Sequence, residues 1–250
     1  MRREQTTQLY DEIGSGYRNY RRPEPRIAAA IWRALGQADS VVNVGAGAGS
    51  YEPTDRFVVA VEPAMTMIRQ RRSGSAPVVQ ASATHLPFRD ASFAASLAIL
   101  TLHHWPDQVR GLDELARVTR SHIVLLTWDP ASTGFWLVED YFPEIVEIDR
   151  RIFLSIDELR RALGGAEVSP LMIPHDCVDG FLGAYWRRPQ AYLDAGVRSA
   201  ISTFSKLRTL DAGLARLRRD IADGTWTRRY GELLGRAEID LGYRLIVARH

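Results

Sequence analysis

The sequence predicts an α/β fold: an open, mostly parallel sheet flanked by helices, with a helical insertion ahead of the last strand. Three observations predict it. Short apolar runs alternate with segments of helical periodicity, as crossover helices between parallel strands require. The first run, Val41 to Val44, breaks into glycines at alternate positions, Gly45, Gly47 and Gly49. The second, Phe57 to Val61, ends on an acid, Glu62. Glycine permits a tight turn and close approach of a ligand, and an acid at the tip of the second strand can accept both hydroxyls of a ribose. The pairing indicates a nucleoside-containing cofactor.

Residues 1–36 read as N-terminal helices in front of the sheet. Tyr10, Tyr17 and Tyr20 fall at helix-like spacings, followed by the break Pro23-Glu24-Pro25. Beyond it Ile27, Ala30, Ile31, Ala34 and Leu35 form one apolar face. The glycine spacing is G-x-G-x-G, and Ser50 stands where a dinucleotide motif needs its third glycine. A Walker A loop is excluded because no lysine follows; Lys206 is the only lysine in the chain. Only Ser50 to Arg56, with Pro53 inside, separates the loop from the second strand, which leaves room for one helical turn at most. Backbone N–H groups of the loop are therefore expected to do more of the anion binding.

After Glu62, an amphipathic helix ends in Arg69, Arg71 and Arg72, the pattern of a solvated face. A third strand is predicted over Pro77 to Ala81 and a fourth over Ser92 to Leu100. The fourth delivers Thr101-Leu102-His103-His104-Trp105-Pro106-Asp107 to the carboxyl edge, where open α/β sheets bind ligands. Imidazole titrates near neutrality, so His104 and His103 are the candidates for proton handling. Adjacent histidines without a cysteine cluster do not point to zinc, and no metal is called for. A helix over Leu112 to Thr119 and a fifth strand over His122 to Thr127 follow, then the aromatic and acidic stretch Phe135 to Pro143. That stretch reads equally as an acceptor-binding wall and as a packed crossover. Ser155 and Glu158 form a capping-box pattern ahead of another helix. Strand six is expected over Val168 to Ile173 and the last over Tyr243 to Ala248. The division is thus 1–36, a core over 37–174, a helical insertion over 175–240 and a final strand in 241–250.

Composition narrows the functional classes. A net charge of +2 argues against nucleic acid as the main partner. The single cysteine, Cys177, suits a reducing compartment, and the N-terminus lacks the apolar segment of a secretory signal. The longest apolar run, Phe93 to Leu102, is too short to span a bilayer. A cytoplasmic protein without membrane association, monomeric or homodimeric, is expected.

The segments VVNVGAGAG, VVAVEPAMTMI, ASATHLPF, LAILTLHHWPD and LDELARVTR before HIVLLTW come in a fixed order over residues 41–128. In them the chain resembles the class I S-adenosylmethionine-dependent methyltransferases, in particular the small-molecule group related to ubiquinone and menaquinone methyltransferases. The resemblance implies a Rossmann-like sheet of seven strands, mostly parallel with one antiparallel, and S-adenosylmethionine as cofactor with S-adenosylhomocysteine as product. It places the cofactor against Gly45, Ala46, Gly47, Glu62, Pro63, Met67, Ser82, Ala83, Thr84 and Leu100. It also implies that N-terminal helices close over the cofactor, with Tyr17 covering it and Arg22 meeting its carboxylate. Asn43 stands where the family has an acid facing the methionine amine, and Ser82 where it often has an acid for the adenine. The acceptor is expected to be a small molecule, methylated on O or N, in secondary metabolism. Its contacts are expected from Tyr10, Trp105, Asp129, Trp136, Tyr141, His175 and Trp186, the last two in an insertion acting as lid. Two alternatives stay open: a non-catalytic or regulatory cofactor-binding protein, and an NAD-dependent oxidoreductase.

Overall fold

The computed structural model describes residues 20–249; Tyr10 and Tyr17 lie outside them. Seven strands form one sheet in the order β3-β2-β1-β4-β5-β7-β6. The first five are β1 Ser40–Val44, β2 Phe57–Val61, β3 Val78–Val79, β4 Phe93–Ile99 and β5 Thr119–Trp128; all pair in parallel. The last two are β6 Glu167–Pro174 and β7 Glu238–Arg249. β7 lies antiparallel between β5 and β6.

Side-chain alternation explains the layering. Val41, Val124 and Leu126 face one core, while Val42, Val44, Ile123 and Leu125 face the other. Sheet strands show opposite faces at successive residues, so both apolar layers come from the same short runs. Helix α1, Pro25–Ala34, packs on the first layer through Ile27 and Ile31. Its start is fixed by Pro25 at the first turn and by Glu24, whose carboxylate accepts from the Arg26 N–H. Helix α3, Gln108–Val118, packs on the second layer through Leu112 and Leu115, with Asp107 as its N-cap. The short helix α2, Met65–Ile68, follows Glu62.

Several segments differ from expectation at their edges. β3 is two residues rather than five, because β2 ends at Val61 and leaves the chain beyond Val79 nothing to pair with. β5 begins at Thr119, directly after α3. No helix forms between the glycine loop and β2; Tyr51 there adopts φ +65. Such a conformation costs about 1–3 kcal/mol in a non-glycine residue unless its surroundings hold it. They do here: its hydroxyl donates to Asp179 at 2.7 Å, and its carbonyl accepts from the Trp32 indole at 2.9 Å.

The crossover after β5 holds a π-turn at Leu137–Tyr141, α4 Glu144–Ile152 and α5 Ile156–Ala162. Between β6 and β7 the chain is helical in short pieces, including Leu182–Tyr185, Pro189–Leu193, α6 Ala195–Ser199, α7 Leu210–Ala222 and α8 Thr225–Tyr230. This insertion is fastened by aromatic packing. Trp136 meets Tyr192, Trp226 and Tyr230 at centroid distances of 5.8, 5.4 and 5.9 Å.

Candidate functional site

The strand order reverses between β1 and β4, and a crevice at their carboxyl ends is the usual ligand position in such a sheet. A cavity of about 470 Å³ opens there. The loop after β1 lines it through Gly45, Ala46 and Gly47, and the turn after β4 through Leu100, His103, His104 and Trp105. Gly45 is obligatory: its φ is +72, and a Cβ on it would sit 2.0 Å from Thr101 Oγ1.

Glu62 lines the cavity at the tip of β2, almost wholly buried. Its carboxylate accepts from the Gly47 N–H at 2.8 Å and the Ala64 N–H at 2.9 Å. Burial raises its pKa, and those two donors pull it back. Each carboxylate oxygen, with one donor on it, keeps a further lone pair. Pro63, Met67, Ser82 and Ala83 line the same half. Thr84 does not: it is buried behind Ser82, hydroxyl to hydroxyl at 2.9 Å.

Asn43, at the end of β1, donates through Nδ2 to Glu52 Oε1 at 3.2 Å. Asn43 lines the cavity, and its Oδ1 is buried and without a hydrogen-bond partner among the described residues. Glu52 in turn holds Arg71 in a buried ion pair at 2.8 Å. The solvated face expected for Arg71 is thus incorrect: Glu52, 19 residues earlier, and the Gly47 and Ala76 carbonyls draw it inward. We expect Asn43→Asp to bring a second carboxylate against Glu52. Like charge raises the folded-state pKa of the new acid, so its penalty of about 1–3 kcal/mol is present at pH 8 and relieved as pH falls through that raised value. Thermal unfolding at pH 8 and pH 5 checks this.

The N-terminal arginine of the site is Arg21, not Arg22. Arg21 lines the cavity and pairs with Asp179 at 2.6 Å, whereas Arg22 is exposed. The loop N–H groups expected to bind an anion are largely committed. Those of Gly45 and Ala46 donate to the Val61 carbonyl, that of Gly47 to Glu62 and that of Gly49 to the Ala46 carbonyl.

The other half of the cavity is aromatic. His103 stacks on Phe153 at 4.3 Å and lies tilted against His104 at 3.9 Å, and Phe153 and Trp128 meet edge to face at 6.0 Å. Phe181, Leu182, Ile201 and Tyr243 close it, the first three from the insertion. Burial, with the cations Lys206 and Arg21 nearby, lowers the His104 pKa to about 3 and holds His103 well below its ordinary value. Both rings are neutral at physiological pH and are poor proton sinks. Asp149, on α4, lines the same half.

Five expected acceptor contacts lie elsewhere. Trp136 and Trp186 are core: the Trp136 indole donates to the Trp186 carbonyl at 2.8 Å, and that of Trp186 to the Ile173 carbonyl at 3.1 Å. Tyr141 donates to Asp220 at 3.0 Å behind the cavity wall. Asp129 caps the turn after β5 by accepting from the Ala131 N–H. His175 is at the surface against the Ala237 carbonyl. None lines the cavity, whereas Trp105 does. Arg21, Glu52, Asp149, Phe153 and Phe181 were not anticipated; only Arg21 carried a signal, beside Arg22.

Comparison with known proteins agrees with this geometry. A family described as "methyltransferase domain" matches residues 42–126. A solved Anabaena variabilis protein, described as a candidate methyltransferase from an antibiotic biosynthesis pathway, is 36% identical with a TM-score of 0.85. The likeness covers 92% of this chain and 98% of that one. The demethylmenaquinone methyltransferase of a Mycobacterium species (strain JLS) is 34% identical over 90 residues, 34% of this chain and 39% of the relative. The chain therefore matches about two fifths of that curated relative's length. A Bacillus halodurans protein at 15% identity and TM-score 0.53, covering 89% of this chain and 97% of its own, shares the fold.

Proposed function

Because the chain belongs to the class I S-adenosylmethionine-dependent methyltransferases, we propose that it transfers a methyl group to a small-molecule acceptor held in the aromatic half of its cavity. The observation that carries this is one continuous cavity, with the Glu62 carboxylate and Asn43 Oδ1 at one end and the Trp128, Phe153 and Tyr243 rings at the other.

The residues present fit the cofactor. Glu62 has lone pairs for ribose hydroxyls, and Pro63 and Met67 offer apolar surface to an adenine. The Ser82 hydroxyl and the Ala83 N–H serve its polar edge. The unpartnered Asn43 Oδ1 suits an ammonium, and Arg21 a carboxylate, which guanidinium binds bidentately. When bound, S-adenosylmethionine supplies a methyl group already made electrophilic by its sulfonium. The protein's part is to align the acceptor and exclude water. In this reading the insertion is the lid, with Phe181, Leu182 and Ile201 as its inner surface. His103 and His104, held neutral, form part of the wall.

One relative is named for a quinone, demethylmenaquinone, and another for an antibiotic biosynthesis pathway, which supports a small-molecule acceptor; methylation on O or N in secondary metabolism is the further part of our reading. Calorimetric titration with S-adenosylmethionine, S-adenosylhomocysteine and NAD tests the reading. Binding of the first two with Kd on the order of micromolar is expected. Binding of NAD alone overturns it, and binding without turnover of any ring-bearing acceptor favours a non-catalytic binding protein.

A further inference from the structure

We propose that Asp149 is the acceptor-side carboxylate of this cavity, receiving a hydrogen bond from a neutral hydroxyl on a ring-bearing acceptor and then the proton of that hydroxyl. The inference rests on the methyltransferase reading above.

Asp149 sits in α4, within EIVEIDRRI, where the neighbouring Arg150 is exposed and Asp149 is turned inward at 2% exposure. Its Oδ1 has no hydrogen-bond partner among the described residues, and no ion pair within 4.0 Å reaches it. Buried carboxylates are almost always paired, so one on a cavity-lining residue with only the Lys206 charge acting on it leaves a place for a partner that arrives from outside. Phe153, just past the end of the same helix, lines the cavity with it and stacks on His103. A ring between these aromatic walls would present its substituent to Asp149.

The charges nearby select a neutral donor. Lys206 and Arg21 already act on His104, and Lys206 acts on Asp149, so another cation would enter a positive field. An ammonium also has no lone pair with which to attack. Among the described residues lining the cavity, the other proton-bearing groups are poor acceptors. Glu62 is held by two backbone donors, His103 and His104 are pushed far below neutrality, and the Tyr243 hydroxyl is raised by burial. Burial lifts Asp149 to about 7, opposed only by Lys206, which suits proton exchange near neutral pH. In the step, the O–H pair stays on the acceptor oxygen, making it the nucleophile. The proton passes to Asp149, which becomes neutral and later releases it to solvent.

The test uses phenol, neutral at the working pH of about 7, and its O-methyl ether, anisole, as probes that differ in one donor. Binding to wild type and Asp149→Leu, which keeps no acceptor oxygen, is measured with and without saturating S-adenosylhomocysteine. Wild type is expected to prefer the phenol by at least roughly tenfold, because a site built for a hydroxyl rejects the analogue lacking it. Asp149→Leu is expected to lose that preference while binding S-adenosylhomocysteine within about twofold of wild type. No preference in wild type, or one that persists in the variant, overturns the proposal. Failure of S-adenosylhomocysteine to bind either protein counts instead against the methyltransferase reading, since the donor preference is read without it as well.

Thermal unfolding separates this role from a structural one. A carboxyl whose folded pKa is raised keeps its full stability below the unfolded value near 4 and loses it as pH rises through about 7. Facing Lys206, Arg21, His103, His104 and Tyr243, Asp149→Asn should therefore raise Tm by roughly 2–4 °C at pH 8 and by less at pH 5. A fall in Tm at both pH values would make Asp149 a structural tie and overturn the proposal.

Discussion

Glu62→Ala is expected to weaken S-adenosylhomocysteine binding by at least about 100-fold, read by calorimetry. The carboxylate does two things at once: it faces the cavity, and it fixes the Gly47 and Ala64 N–H groups at 2.8 and 2.9 Å. Alanine removes the ribose acceptor and frees both donors, each worth about 1–3 kcal/mol when left unsatisfied. Water from the cavity can reach the freed donors, so the fold should lose only about 1–3 kcal/mol while binding loses more. Glu62→Gln keeps one acceptor oxygen but turns an NH₂ toward one of the two backbone donors. Its affinity should fall between wild type and alanine. An unchanged affinity in Glu62→Ala would place the nucleoside elsewhere.

Gly45→Ala should destabilise the protein by about 2–5 kcal/mol, measured by denaturant unfolding. Two terms contribute. A φ of +72 costs an L-residue about 1–2 kcal/mol, and overpacking in a closed space about 1–3 more. The space is closed because the added Cβ would lie 2.0 Å from Thr101 Oγ1 and 2.8 Å from Thr101 Cβ. Thr101→Gly in the same chain removes the steric term and leaves the backbone term. The double mutant should therefore recover about 1–3 kcal/mol relative to the sum of the singles. Simple additivity would show that the β1 loop and the β4 turn are not in contact.

The reach of the sequence can be judged from these same residues. Strands 1, 2, 4 and 5 and the glycine loop were legible because their signals are local: apolar runs, a break at glycine, an acid one residue past a strand. Arg71 was not, because its meaning depends on Glu52 across a loop whose path no periodicity predicts. Arg21 and Arg22 differ only in which of two adjacent side chains turns toward Asp179, 158 residues from Arg21. Trp136, Tyr141 and Trp186 have the composition of a cavity wall, yet aromatics that pin an insertion to a sheet look the same in sequence. The place of His103 and His104 was readable, but their protonation was not, since desolvation comes from elements far along the chain. Asp149, amid Glu147, Arg150 and Arg151, reads as one more charge on a wet helix.

The position of β7 has a consequence for how the chain comes off the ribosome. β7 is last in sequence yet sits between β5 and β6. β6 ends at Pro174, and its partner is not complete until Arg249. At about 5–20 residues per second, roughly 4–15 s of elongation separates the two. During that interval β5 and β6 each expose an unpaired edge, the template on which strands of other chains add. The insertion made in between carries Trp186, Tyr192 and Trp226, whose folded-state contacts include Trp136. Slowing translation anywhere between residues 174 and 237 should therefore increase aggregation of the nascent chain.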